Sequence, residues 1–190
     1  MTGATLRKYS LRQWIFAIIY ALVGPLVLPS HTAEFTAPPA PEPEYRLRLF
    51  HAHTQKHLEV VYKVGDRYLP EALETLNQFL GDFRTGLVRQ FDPRLFDLLV
   101  DLTSAVGRPD AEINILSAYR SPESNAYLRR VSSGVAKHSL HMQAEAIDIR
   151  VPEVKISQLR NAALALKRGG VGYYPRSNFI HVDVGNVRRW

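Results

Sequence analysis

The chain has no cysteine among its 190 residues. Disulfides are therefore excluded, and so is any metal centre built on thiolates. A transition metal would have to be held by His, Asp or Glu. Acidic residues are missing from the first 33 positions, where Arg7, Lys8 and Arg12 are the only charged side chains. No internal repeat is visible. A strong charge of one sign is also lacking: net charge is +6, of which those three residues supply half. The remaining +3 is too small to argue for a nucleic-acid partner, though it suits an anionic polymer.

What is present is an average globular composition, 46% hydrophobic and 22% charged, at a length that suits one domain with a real core. The basic start runs into WIFAIIYALVGPLVL, a 15-residue apolar stretch at 14–28, and then into PSHTA. That layout predicts a secretory signal, short for a spanning helix. Cleavage after Ala33 would put His31 where a small residue is favoured, so an uncleaved inner-membrane tether through residues 14–28 is the alternative. Either reading is an export signal. Pro38, Pro39, Pro41 and Pro43 then mark residues 34–44 as an extended linker.

From residue 45 the pattern is that of an α+β domain with a mainly antiparallel sheet flanked by helices, filling 45–190. YRLRLFHAH and HLEVVYKV alternate as strands, with Gly65-Asp66 as a turn. Helical spacing covers 69–83 and 93–106, the second opened by Asp92 as a cap. INILSAY is a strand. Ser121-Pro122 starts a helix to about 130, AEAIDIRV is a strand, 156–167 is a helix stopped by Gly169-Gly170, and VGYY and FIHVDV are the last two strands.

Two of these strands carry unusual polar groups. In AEAIDIR, alternation puts Asp148 on one face and Ile147 and Ile149 on the other. FIHVDV repeats this, with His181 and Asp183 on one face and Ile180, Val182 and Val184 on the other. If the strands are neighbours, Asp148 and His181 approach each other, and His141 in the preceding loop supplies a third ligand. Two imidazoles and a carboxylate leave a fourth position open on Zn2+, the arrangement of a hydrolytic site. The same pattern also describes a polar sheet face open to solvent. His138 reads as an exposed loop residue, and His51, His53 and His57 as surface histidines of the first strands. Tyr173 and Tyr174 read as a cleft wall or as packing.

The segments SAYRSPESNAYLRR, GVAKHSLHMQAEAIDIR and RGGVGYYPRSNFIHVDVG together resemble the D-alanyl-D-alanine peptidase/hedgehog-like superfamily. Within it they look most like the murein endopeptidase K type of periplasmic peptidoglycan hydrolases. The family pattern Ser-x-His-x-x-Gly-x-Ala-x-Asp falls on Ser139, His141, Ala144, Ala146 and Asp148. The resemblance implies His141, Asp148 and His181 as zinc ligands and Arg120 as a substrate-side arginine. It also implies a metallopeptidase cleaving peptide cross-links of the cell wall. A D,D-carboxypeptidase or dipeptidase on the same site, and a non-catalytic zinc-containing wall-binding module, are the alternatives. Two positions depart from the pattern. Ala144 stands where the pattern has glycine, and Asn178 stands where many relatives place an acid. The general base is then open, with Asp183 either the base or a partner that orients His181.

Overall fold

The computed structural model describes residues 40–132 and 134–190. The predicted export segment, and the linker before Ala40, lie outside the described residues. Eight strands form one sheet: β1 (Glu44–His51), β2 (Lys56–Val64), β3 (Arg67–Tyr68), β4 (Ile113–Ser117), β5 (Ala146–Arg150), β6 (Gly170–Tyr174), β7 (Phe179–Asp183) and β8 (Arg188–Arg189). Their order is β3-β2-β1-β4-β5-β7-β6-β8. The β1/β4 and β6/β8 pairs are parallel and the other neighbours antiparallel, so the sheet is mixed but mainly antiparallel, as predicted. Among the described residues four helices accompany it: α1 (Pro70–Phe79), α2 (Pro93–Ala105), α3 (Pro122–Val131) and α4 (Ile156–Leu166).

Local signals explain the helix starts. Asp92 Oδ1 accepts from Arg94 N (2.9 Å) and Ser121 Oγ from Ser124 N (3.1 Å), and in both cases a proline follows at the first helical position. The core lies on one face of the sheet. Leu47, Leu49, Ile113, Ile115, Ile147, Ile149, Ile180 and Val182 are buried there with Leu76 of α1, Phe96 and Leu99 of α2, and Leu159 of α4. The opposite face is free to carry polar groups, which is where Asp148 and His181 point.

Several expectations need correction. His51 is not a surface residue but is 2% exposed. It continues the alternation of Leu47 and Leu49 and pairs with Ile115, so it falls on the core face, edge-on to Phe79 and Phe83. Its Nδ1 accepts from His53 N (3.3 Å), and burial lowers its pKa, keeping the ring neutral. The first helix stops at Phe79, short of 83, and Phe83 turns out into the following loop to stack on His53. Gly169 and Gly170 do not stop α4. Lys167 does, in the left-handed conformation at φ 53°. The two glycines are required by close approach, since a Cβ on Gly169 would lie 1.7 Å from the Asp183 carbonyl oxygen and one on Gly170 2.4 Å from its Oδ2. Strand β8 has only two residues, too few for an alternation pattern to reveal.

The loop after α1 is tied to α3 by one buried carboxylate. Asp82 Oδ1 accepts from Arg84 N (3.1 Å) and Oδ2 from Ser121 N (2.9 Å), fixing the residue next to Arg120. Burial pushes the Asp82 carboxyl up, but the hydrogen bonds from Ser121 and Arg84 outweigh it and hold the pKa at about 2, against 3.8 for a free group. A depressed folded-state pKa contributes stability above the unfolded value and loses it as pH falls through the folded one. Asp82→Asn is therefore expected to cost about 2 kcal/mol in urea unfolding at neutral pH. It should also make the loss of stability between about pH 4 and pH 2 shallower than in the wild type. An acid limb unchanged by the substitution would contradict this role.

Candidate metal centre

The register of β5 on β7 sets Asp148 directly opposite His181, with Ile147 opposite Val182 and Ile149 opposite Ile180. The apolar residues go into the core and the polar pair to the other face. His141 arrives from a short 3-10 turn, Leu140–Gln143. Two bonds lock that turn to the segment after β4: Arg120 N donates to the His141 carbonyl (3.1 Å), and His141 Nδ1 donates to the Ala118 carbonyl (2.7 Å). Among the described residues, His141, Asp148 and His181 are the only group of three metal-ligating side chains brought together, and all three are buried. His138 is exposed. His53 bonds the Leu116 carbonyl and His57 bonds Glu112.

The ligand atoms converge. His141 Nε2 lies 3.1 Å from His181 Nδ1 and 3.2 Å from Asp148 Oδ1, and His181 Nδ1 lies 3.0 Å from the same oxygen. These separations are close to the roughly 3.3 Å edge of a tetrahedron with metal–ligand bonds near 2.0–2.1 Å. The hydrogen-bond partners assign the tautomers. His141 Nδ1 faces a carbonyl and so carries its proton there, while His181 lies between two carboxylates, Asp183 at Nε2 and Asp148 at Nδ1, both at 3.0 Å. With the His181 proton on Nε2, three lone pairs are aimed at one point. Such a donor set fits a divalent cation and is repulsive without one.

Electrostatics favour that arrangement at His141 and Asp148, and favour the proton at His181. Burial lowers the pKa of His141, which keeps its Nε2 bare. Burial opposes ionisation of Asp148, but His141 and His181 outweigh it and hold its pKa well below the usual carboxylate range. Burial likewise lowers His181, yet its hydrogen bonds to Asp148 and Asp183 win and the net shift is upward. A proton and a metal ion thus compete for the same lone pairs.

Around the ligands lies a ring of fixed partners. Arg120 donates to Asp148 Oδ2 (2.6 Å) and to Ser117 Oγ (2.8 Å). Burial lowers the Arg120 pKa from its ordinary 12.5, and the arginine remains a cation. Asp183 is 0% exposed, and both its oxygens are engaged. Oδ1 accepts from Gly170 N (2.9 Å), Gly185 N (3.0 Å) and Arg188, while Oδ2 accepts from Arg188 (2.7 Å) and His181. Burial pushes the Asp183 carboxyl up, but these hydrogen bonds outweigh it and hold its pKa at about 2.

An open cleft of about 380 Å³ leads to the triad, walled by Arg120, Val135, Tyr174, Phe179 and Trp190. Sequence reasoning missed Trp190 and Arg188. The Trp190 ring sits 5.2 Å from His181, donates through Nε1 to Tyr174 Oη (2.8 Å), and carries the Arg188 guanidinium 5.0 Å from its own centre. The one available sign was Gly172, opposite His181, where a Cβ would meet the indole at 2.8 Å. Tyr174 lines the cleft and stacks on Phe179, whereas Tyr173 faces elsewhere. Asn178 is exposed in a left-handed turn at φ 53°, a conformation asparagine tolerates well.

A buried His–Asp–His cluster with one side open to a cleft, on an α+β frame, is the constitution of a metallopeptidase. Residues 39–190 match the family model described as Peptidoglycan L,D-endopeptidase MepK. The chain is 37% identical over 179 residues to the Peptidoglycan L,D-endopeptidase MepK of Escherichia coli K12, covering 94% of this chain and 96% of that protein. It is equally identical over 180 residues to the Probable peptidoglycan L,D-endopeptidase MepK of Haemophilus influenzae, covering 94% of each. The chain belongs to the MepK family of peptidases.

Ala144, the departure from the glycine of the motif, is left-handed at φ 57°. That conformation costs an alanine roughly 1 kcal/mol relative to glycine. Its methyl is fully buried, contributing about 0.8 kcal/mol. The two effects nearly cancel, so Ala144→Gly should change unfolding free energy by less than about 1 kcal/mol. Ala144→Val, with a branched side chain at positive φ, should cost more than about 2 kcal/mol in the same denaturation experiment. A large gain in stability from glycine would mean the backbone strain is not offset by burial.

Proposed function

We propose that the chain is a zinc-dependent endopeptidase that cleaves peptide cross-links of bacterial peptidoglycan, with His141, Asp148 and His181 as the zinc ligands. The carrying observation is the convergence of three ligand atoms within 3.2 Å on the floor of an open cleft. The relatives' names supply the substrate class, and a peptide amide suits a cleft of this kind. Bound there, zinc supplies Lewis acidity to the scissile carbonyl and to the attacking water.

The chain's own residues do the rest. Arg120 fixes the orientation of Asp148, and it is the one arginine or lysine lining the cleft among the described residues, placed to stabilise negative charge on the carbonyl oxygen. Asp183 is a positioning residue in this reading, not the base. Five donors occupy its two oxygens and no part of it reaches the cleft. It keeps the proton of His181 on Nε2 and so keeps Nδ1 available to the metal. Export to the periplasm, with residues 1–33 as signal or with a tether through 14–28, completes the proposal. Among the described residues no helix is long and apolar enough to cross a membrane.

A second reading, a wall-binding module that holds zinc without hydrolysis, is favoured by one observation: Asp148 is the only carboxylate lining the cleft among the described residues. Incubating the chain with purified cross-linked muropeptides separates the two. The proposal expects dimers to fall to monomers, with about one zinc per chain in the sample. His141→Ala should lose both zinc and hydrolysis. Zinc-loaded protein that leaves dimers intact would overturn it in favour of the binding module, and release of terminal D-alanine alone would point to a carboxypeptidase.

Asp183→Asn makes a separate test. A positioning role predicts zinc affinity lower by about 10–100-fold. The kcat at saturating zinc should then fall less than about tenfold. Intact affinity with kcat lower by about 10²–10⁴-fold would instead identify Asp183 as the base.

A further inference from the structure

Strand β8 presents its residues to the two faces of the sheet in turn. Arg188 and Trp190 lie on the face of the metal centre. Arg189, paired with Val171, lies on the other. There it borders a second groove, of about 610 Å³, formed where α4 meets the sheet edge. Leu164 and Val171 line its apolar part, and Arg160, Tyr173, Arg189 and Trp190 line the rest. Trp190 belongs to both depressions, so a single indole separates the groove from the cleft that holds His141, Asp148 and His181.

The chemistry of this groove is specific in sign. It contains two guanidinium groups and no carboxylate side chain among the described residues. Arg160 lies 4.5 Å from the centre of the Tyr173 ring and donates to Asn161 Oδ1 at 2.8 and 3.1 Å, which holds its planar head in place without neutralising it. Neither Arg160 nor Arg189 is in an ion pair with any described residue. Seven arginines elsewhere, from Arg46 to Arg188, are ion-paired. A cationic pocket with an aromatic wall, joined to a peptide-cleaving site, is suited to a carboxylate on the same substrate chain.

We infer that the groove between α4 and β8 is a second substrate subsite, in which Arg160 and Arg189 bind a carboxylate of the peptidoglycan peptide that continues past Trp190 from the scissile bond. The inference rests on the peptidase reading above. Wall peptides carry several carboxylates along one short chain, so a strand lying across the indole brings one of them to the guanidinium pair. The subsite would favour cross-linked, carboxylate-rich peptides over short neutral ones. It would act on binding and not on the chemical step.

The test uses the zinc-loaded full chain and muropeptide dimers, intact or with their carboxylates converted to methylamides. Arg160→Ala/Arg189→Ala is expected to raise KM for intact dimers by about tenfold with kcat within about twofold. For the methylamide dimers the double variant and the wild type should have the same KM. Arg46→Ala/Arg67→Ala, on β1 and β3 toward the far edge of the sheet, removes the same charge and should leave KM for intact dimers unchanged. Calorimetric binding of intact dimers to His141→Ala, with and without the groove substitutions, reads the subsite without turnover and should show the same tenfold loss. Unaltered KM and Kd in the groove variant would overturn the inference while leaving the peptidase reading in place. Arginine-dependent binding without any cleavage would do the reverse. An equal loss in the far-edge variant would also overturn the inference, by showing that only net charge matters.

Discussion

The site depends on one constraint, the pairing of Asp148 with His181 across β5 and β7. Side chains alternate with a period of two along a strand, so one register decides the fate of both faces at once. In the observed register Ile147, Ile149, Ile180 and Val182 enter the core together, and the aspartate meets the histidine on the opposite face. A slip by one residue would put two isoleucines on the polar side and a carboxylate in the core. The hydrophobic core therefore enforces the geometry of the cluster, and the candidate metal centre inherits its precision from packing that has no chemical role.

Burying such groups is costly unless each has a partner. Here every one does. Asp148 is paired with Arg120, and Asp183 with Arg188, so each buried acid of the site has its own guanidinium. The two histidines give their spare protons to a backbone carbonyl and to Asp183. The surrounding chain makes room for this shell. Gly169 and Gly170 let the backbone and carboxylate of Asp183 come close, and Gly172 makes room for the Trp190 ring, tilted beside His181. What sets this network apart is that three ligand atoms converge on one point, which suits the site to a metal ion.

Much of this was legible in the sequence because it rests on short-range periodicity. The alternation in AEAIDIR and FIHVDV named both the strands and the faces, and Asp92-Pro93 and Ser121-Pro122 marked helix starts that the structure has. His51 was misread although the same alternation, Leu47-Leu49-His51, assigns it to the core, because a histidine was given a surface role by residue type. Other features were invisible for physical reasons. The role of Gly169 and Gly170 depends on a strand thirteen residues later, Asp82 acts across 39 residues on Ser121, and β8 is too short to show a pattern. Trp190 and Arg188 join the site only through the parallel pairing of β8 with β6, a long-range contact that no local motif announces.

The most direct test of the central claim is the thermal unfolding of metal-stripped protein as zinc is added, in the wild type and in His181→Ala. If the strand register builds a zinc site in the folded state alone, zinc at about 100 times its Kd should stabilise the wild type by about 2.7 kcal/mol. That corresponds to a rise in Tm of roughly 5–10 °C. The variant should show no such rise. A wild-type Tm indifferent to zinc, or an equal rise in the variant, would mean that the pairing of Asp148 with His181 does not create the metal centre.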